Sequence, residues 1–413
     1  MSLPIITLPM AERWDCQRCG VCCRGSIVPL DEEDLGKLRE QKWEEHPDYR
    51  GVAVTATLDR GRKQLARRAD GSCVFLTDDG LCRIHQEFGL EAKPLVCRMF
   101  PLQLVPRDKQ AVLTLRRACP SAAADTGREV TEHLPEARAY ADEGRLIEQP
   151  AAAPPIKPGE PAEWKRSRGL LETLRRVTCD ERYPPIRRLV HGLEMCRLVE
   201  AAQTRDMPTG KLDELLGVLE EHIAGEAAPH FAQRQLPSAG GRMLFRQISL
   251  QSVRLHPRSY VMPRWWTRLQ LAWWAVKMVV GRGRLPRVHP KFPSATFRQL
   301  EQPLGLLDPS LYRPLARYFE TSTASYQYAL GERGGWSIIE SYRQLAILYP
   351  VGLWLLRWAT AGRPPEVSDV YEIVTTLDRA LGYAPLGGLE QRSRLRTLAR
   401  LEDLPRLVVW YGQ

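Results

Sequence analysis

Eight of the ten cysteines fall within the first 119 of 413 residues, against about three for an even spread. Four crowd into Cys16-x2-Cys19-Gly-Val-Cys22-Cys23, and Cys73, Cys82, Cys97 and Cys119 follow singly. Thiols at this density bind a soft metal, hold an iron-sulfur cluster or pair as disulfides. The chain opens Met-Ser-Leu-Pro-Ile-Ile-Thr-Leu-Pro-Met, with no basic stretch, long apolar run or small-residue cleavage site, so a cytoplasmic address is expected. In a reducing compartment the first two chemistries displace the third.

An all-thiolate set favours zinc or iron-sulfur over magnesium, calcium or copper(II). The run Cys16-x2-Cys19-x2-Cys22 is close to the three-corner pattern of a ferredoxin cluster, with Cys119-Pro120 as a fourth corner, although Ser26 stands where the contiguous pattern has cysteine. A structural zinc site usually pairs two Cys-x2-Cys knuckles, and the second is missing. In extended backbone Cys22 and Cys23 would point to opposite faces. A tight hairpin about Asp79-Gly80 would hold Cys73 and Cys82 on the order of 13 Å apart, whereas two sulfurs on one zinc are about 3.8 Å apart. Both points predict two centres, or one centre with spare thiolates. Gly20 can take positive φ and turn the loop so that amides approach the sulfurs. Arg18, Arg24, Arg83 and Arg98 would stabilise thiolates or form a solvated face, and His85 is available as a substitute ligand.

The elements expected around these cysteines are short: a strand over Ser26–Leu30, a helix capped by Asp31 and running to about Arg39, and a hairpin over Val74–Ile84. Five prolines between Gln149 and Pro161 forbid a regular helix. They divide the chain into a cysteine-rich domain (1–148), a proline-rich linker (149–162) and a helical domain (163–413), with a strap packed across the surface as the alternative to a linker. Beyond the linker, Leu189, Leu193, Cys196 and Val199 share one helical face, as do Leu212, Leu215, Leu216, Leu219 and Ile223. Cys196 and Cys179 read as core residues. The run Leu345–Leu356 is too short to cross a bilayer and predicts a buried helix. Residues 264–280, apolar on almost every side, predict a central helix, with a membrane-surface helix as the alternative given Trp265, Trp266, Trp273 and Trp274 beside Arg264, Arg268 and Lys277. The expected class is therefore mainly α, with a small irregular cysteine-rich metal-binding domain of short strands at the N-terminus.

At its cysteine motifs the chain resembles the CxxCxxCC (YkgJ-like) family of zinc- or iron-chelating cysteine clusters. The matching pieces are Cys16–Cys23, Gly71–His85 with Cys73 and Cys82, Val96–Pro101 with Cys97, and Ala118-Cys119-Pro120. The resemblance implies metal ligation by Cys16, Cys19, Cys22, Cys23, Cys73, Cys82, Cys97 and Cys119. The chain is also similar to flagellin lysine N-methylases, which carry a like cluster before a long helical region, though with more widely spaced leading cysteines. That similarity implies protein-lysine methyl transfer from S-adenosylmethionine. No Gly-x-Gly-x-x-Gly follows a strand, and Gly331-Glu-Arg-Gly-Gly335 lacks that context.

Three functions follow as expectations. The first is a cytoplasmic protein that binds zinc or an iron-sulfur cluster through N-terminal thiolates, its helical domain recognising a protein partner or substrate. The second is a protein-lysine N-methyltransferase. The third is zinc-dependent nucleic-acid binding, suggested by the surplus of 59 Lys and Arg over 49 Asp and Glu and by Arg60-Gly-Arg-Lys63, Arg67-Arg68 and Arg282-Gly-Arg284, patches that lack interleaved aromatics. No triad order, zincin helix or phosphate loop is present, so no residue receives a catalytic role.

Overall fold

The computed structural model of the chain describes residues 2–24, 26–58, 61–254, 265–286, 292–302, 308–330, 335–382 and 389–412; Arg60, Arg264 and residues 331–334 lie outside the described residues. Short apolar runs bury little surface alone, and the N-terminal part is accordingly built of small sheets braced by short helices. Its strands are β1 (Ile5–Thr7), β2 (Arg13–Trp14), β3 (Pro29–Leu30), β4 (Thr55–Thr57), β5 (Lys63–Leu65), β6 (Leu102–Pro106), β7 (Ala111–Leu115) and β8 (Arg128–Glu129). They order as β1-β7-β6, β2-β8 and β3-β5-β4, with β1 parallel to β7 and the other pairs antiparallel. The helices here are α1 (Glu32–Glu40), α2 (Arg83–Phe88), α3 (Leu95–Met99), α4 (Pro120–Ala123) and α5 (Leu134–Glu143). Asp31 caps α1 as expected, its carboxylate accepting from the Asp34 N–H at 2.8 Å.

Two separate apolar clusters result. One gathers Leu30, Leu38, Trp43, Tyr49, Leu65, Phe75 and Ile84, with Cys73, Cys82 and Cys97 at its edge. The other gathers Trp14, Leu95, Leu104, Leu113, Val130 and Tyr140, with Cys119 at its edge. The cysteines therefore line the seam between two small cores.

The segment Val74–Ile84 departs from the straight hairpin expected of it. Asp79 and Gly80 do lie in a tight turn, with the Thr77 N–H donating to Leu81 O and the Gly80 N–H to Thr77 O. A second turn, closed by the Leu76 N–H on Cys73 O, folds the first arm back, and of the arms only Leu76 and Cys82 pair. Burying Phe75 completely, 4.7 Å from the Trp43 ring, outweighs the one or two ladder bonds this forgoes.

The remainder is helical: α6 (Trp164–Thr178), α7 (Pro185–Ala201), α8 (Thr209–Ala232), α9 (Ala239–Arg254), α10 (Trp265–Val280), α11 (Phe297–Leu300), α12 (Pro309–Ala324), α13 (Gln327–Leu330), α14 (Ile338–Ala359), α15 (Val367–Gly382), α16 (Leu389–Arg400) and α17 (Asp403–Tyr411). The centre of the domain is α14, buried at every residue from Ile338 to Trp358, which includes the run expected to form a buried helix. Around it pack α7, α9, α15 and α17. Close approach of α7 needs Gly192, since a Cβ there would lie 1.9 Å from Tyr342 Oη. The faces read from α7 and α8 are buried at Leu189, Leu193, Cys196, Val199, Leu212, Leu216 and Ile223. Cys179, at the end of α6, is half-buried with its thiol 3.8 Å from Glu320 O.

The helix α10 is not central. Trp274 and Met278 turn toward the core, while Leu269, Trp273, Val276, Val279 and Val280 are exposed. A helix apolar all round needs neighbours on every side, and α10 packs mainly on α9. No described helix is long and apolar enough to cross a membrane.

Residues 149–162 lie against the helical core. Ile156 is buried there, the Ile338 N–H donates to Pro155 O at 2.8 Å, and Ser167 Oγ donates to Pro154 O at 2.6 Å. Further polar contacts join the cysteine-rich part to the helices through Arg116 and Asp378, Arg168 and Asp108, and Gln327 and Gln103.

Candidate metal centre

Backbone geometry of the leading motif differs from the extended form assumed for it. Val21–Cys23 is a single 3-10 turn, entered from Gly20 at φ 65°, with the Cys23 N–H on Gly20 O at 3.1 Å. Neighbouring side chains do not alternate in such a turn, and the sulfurs of Cys22 and Cys23 stand 3.9 Å apart. Positive φ at Gly20 agrees with the sequence reading, and a Cβ there would lie 2.7 Å from Gly80 O. The loop is thus pressed against the turn before Cys82. The Cys73 N–H donates to Cys23 O at 2.7 Å, tying a third segment to the first.

Two adjoining cavities collect the sulfurs. An inner one of about 60 Å³ is lined by Cys22, Cys23, Cys73, Cys82 and Cys97. An outer, more open one of about 260 Å³ is lined by Cys16, Cys19, Cys22, Cys23, Cys82 and Cys119. All eight expected cysteines therefore face one seam, and the fold that bends Val74–Ile84 places Cys73 and Cys82 on the same cavity instead of at opposite ends of a ladder. Among the described residues, however, no three Cys, His, Asp or Glu side chains are arranged to hold a metal ion as they stand. The separation of Cys22 and Cys23 matches the roughly 3.8 Å of two thiolates on one tetrahedral ion. Rotation between staggered χ1 wells carries a cysteine sulfur about 3 Å, which is the movement open to the other thiols.

Proton affinities describe the metal-free seam. The Cys23 thiol hydrogen-bonds to Cys22 and, against desolvation and with help from Lys93 and Arg379, brings Cys22 down to about 6. Cys23, as the donor beside that thiolate, is pushed up. Burial raises Cys73 and Cys119 to about 11 and raises Cys97 as well, opposed at Cys73 by the Phe75 amide and at Cys119 by the Ala122 and Ser121 amides. The Cys22 thiolate thus sits among neutral thiols at Cys23, Cys73, Cys97 and Cys119, a soft donor set that fits zinc or iron and releases protons when a metal takes their place.

Two of the four arginines flanking the motifs in sequence are engaged by carboxylates. Arg98 is buried on Glu91 and Glu143, and Arg83 pairs with Asp48 and Glu87. Instead Lys93 lines both cavities; burial opposes its charge, but Cys82, Cys97, Cys22 and Cys23 keep its pKa raised. Arg18 and His85 line the outer cavity, and burial, then Lys93, lowers the His85 pKa. From α15, Arg379 donates to Val21 O and Arg24 O, both at 3.1 Å, and Asp378 accepts from the Ala118 N–H at 2.7 Å and from Arg116 Nε at 2.9 Å. Lys93 stood between Cys82 and Cys97 in sequence and was open to notice. Asp378 and Arg379 are more than 250 residues from the loops they hold, and no local signal marks them.

Residues 15–120 match the model of the CxxCxxCC family, described as "Putative zinc- or iron-chelating domain". An uncharacterized protein of Methanocaldococcus jannaschii is 28% identical over 109 residues, 26% of this chain and 36% of that protein, so the chain spans about a third of the relative's length. No solved structure matches the chain. The similarity to flagellin lysine N-methylases gains no support from these comparisons.

Proposed function

We propose, from the zinc- or iron-chelating match over residues 15–120, that the chain is a cytoplasmic thiolate metal protein. Its ligands come from Cys16, Cys19, Cys22, Cys23, Cys73, Cys82, Cys97 and Cys119, with Cys22 and Cys23 on a shared ion. Residues 1–148 form the chelating unit, 149–162 bind it to the helices, and 163–413 recognise a protein partner or substrate. The observation that carries this reading is the convergence of eight cysteines from four stretches of chain on one seam, two of them already at ligand spacing. A bound soft cation would replace thiol protons there and neutralise the resulting thiolates. Lys93 offsets the remaining negative charge, and α15 fixes the two loops that bring Cys22, Cys23 and Cys119 together.

The test is anaerobic purification followed by the visible spectrum and counts of iron, zinc and acid-labile sulfide. Absorbance near the iron-sulfur bands with matching iron and sulfide assigns a cluster; a colourless protein with stoichiometric zinc assigns zinc. Protein that takes up neither, with all eight cysteines open to alkylation, overturns the reading.

A further inference from the structure

Between Ala227 and Leu300, a span of 74 residues, the chain contains 13 Lys and Arg and no Asp or Glu. The rest of the chain, with 46 Lys and Arg against 49 Asp and Glu, is slightly acidic, so the whole positive surplus belongs to this stretch. Within it lies α10, whose outward side is apolar. Leu269, Trp273, Val276 and Val280 recur at steps of four, three and four, which places them on one face, with Val279 beside them; all five are exposed, Trp273 at 59% and Val280 at 58%. Trp274 and Met278, on the opposite face, meet the core. Scattered exposed apolar residues need no explanation, but a continuous helical stripe of them does.

The charged residues on the helix and directly after it are basic. Lys277 Nζ stands 5.6 Å from the Trp273 ring, and Arg282 and Arg284 are exposed directly after the helix. They are held there, since Gly281 and Gly283 turn at φ 63° and 77° and Arg284 bridges to Thr296. A helix of 16 residues is about 24 Å long, too short for the ~30 Å hydrocarbon layer, and suits lying in the plane of a bilayer surface.

We propose that α10 seats this protein on a membrane surface rich in anionic lipid. Leu269, Trp273, Val276, Val279 and Val280 enter the boundary between headgroups and acyl chains, and Arg282 and Arg284 pair with lipid phosphates. Four of the five outward side chains are aliphatic and have no ring to stack on bases, which favours lipid over nucleic acid as the source of the negative charge. The metal seam lies elsewhere, so the proposal stands or falls independently of the ion bound there.

Sedimentation of the full chain with sucrose-loaded vesicles tests it. Equimolar phosphatidylcholine and phosphatidylglycerol vesicles should carry the protein down, and pure phosphatidylcholine vesicles should bind at least about 10-fold more weakly. Val276→Asp and Trp273→Asp should each abolish sedimentation with unchanged helicity, since both side chains are exposed, and Arg282→Gln with Arg284→Gln should weaken it about 30-fold. Failure of the wild-type chain to bind anionic vesicles, or undiminished binding by Val276→Asp, overturns the proposal. So does vesicle-independent dimerisation that Val276→Asp alone abolishes, because the stripe then belongs to a second copy. Retention of a single-stranded oligothymidylate, lost in the double arginine variant while no vesicle binds, would assign the charge to nucleic acid and equally overturn it.

Discussion

The sulfurs of Cys22 and Cys23 stand 3.9 Å apart within one 3-10 turn, close to the spacing two thiolates take on a shared tetrahedral ion. Adjacent cysteines in a strand could not do this, because alternate side chains leave on opposite faces. The turn itself depends on Gly20, held at φ 65° with no room for a Cβ against Gly80 O. If the pair is a chelate, Cys22→Ser and Cys23→Ser should each lower metal affinity by more than about 100-fold, exceeding the usual effect of removing an outer-shell partner. Competition with a chromophoric chelator measures this. Cys196→Ala, in the helical core, should leave affinity unaltered. Equal affinity in the wild-type chain and Cys23→Ser would exclude the shared ion.

In metal-free protein, Cys22 should be the thiol that ionises first. With its pKa near 6, iodoacetamide labelling of Cys22 should reach half its maximum about five pH units below that of Cys73 or Cys119, which burial holds near 11, and saturate before theirs begins. Lys93→Met removes a positive charge that favours the thiolate, so the midpoint should move upward. Peptide mapping after labelling across the pH series identifies the site, and a midpoint near the ordinary thiol value would refute the paired arrangement.

The cysteines, the α1 cap, the turn at Gly20, the faces of α7 and α8 and the burial of α14 were legible in the sequence because each rests on short-range spacing. Two misreadings share one cause. A straight Val74–Ile84 hairpin satisfies local turn chemistry, yet Phe75 finds more burial by folding back against Trp43. A central α10 satisfies its composition, yet composition does not say how many neighbours a helix will find. Asp378 and Arg379 were beyond reach for a related reason: hydrogen bonds to carbonyls and amides of a distant loop leave no trace in local sequence.

His191 gives the fold an acid-sensitive point remote from the cysteines. It is 2% exposed, lies 4.7 Å from the Tyr183 ring, and burial together with the Arg187 charge lowers its pKa to about 4. An unfolded chain takes up this proton near 6.5, so between about pH 6.5 and 4 the unfolded state binds more protons and acidification favours it. This contribution is complete above pH 6.5 and is lost as pH falls toward 4, on the order of 2–3 kcal/mol across that window. Urea denaturation at closely spaced pH values should show that slope in the wild-type chain and a flatter one in His191→Leu. An identical slope in both would place the acid sensitivity elsewhere.

Helix α15 should tune the metal centre without touching it. Asp378, 3% exposed at its side chain, accepts from the Ala118 N–H beside Cys119, and Arg379 donates to the carbonyls of Val21 and Arg24 on either side of Cys22 and Cys23. Asp378→Ala removes a buried charged acceptor and should cost about 2–4 kcal/mol of stability. Because the same contacts set the spacing between the Cys22–Cys23 turn and Cys119, metal affinity should also fall, by about 10–100-fold. Asp378→Asn keeps an oxygen for the Ala118 N–H and should recover most of the affinity while recovering less of the stability. Paired measurement of denaturation midpoint and chelator competition separates the two effects. Stability lost with affinity intact would show that α15 merely braces the fold, whereas a joint loss with recovery by asparagine ties the geometry of the thiolate seam to the helical domain.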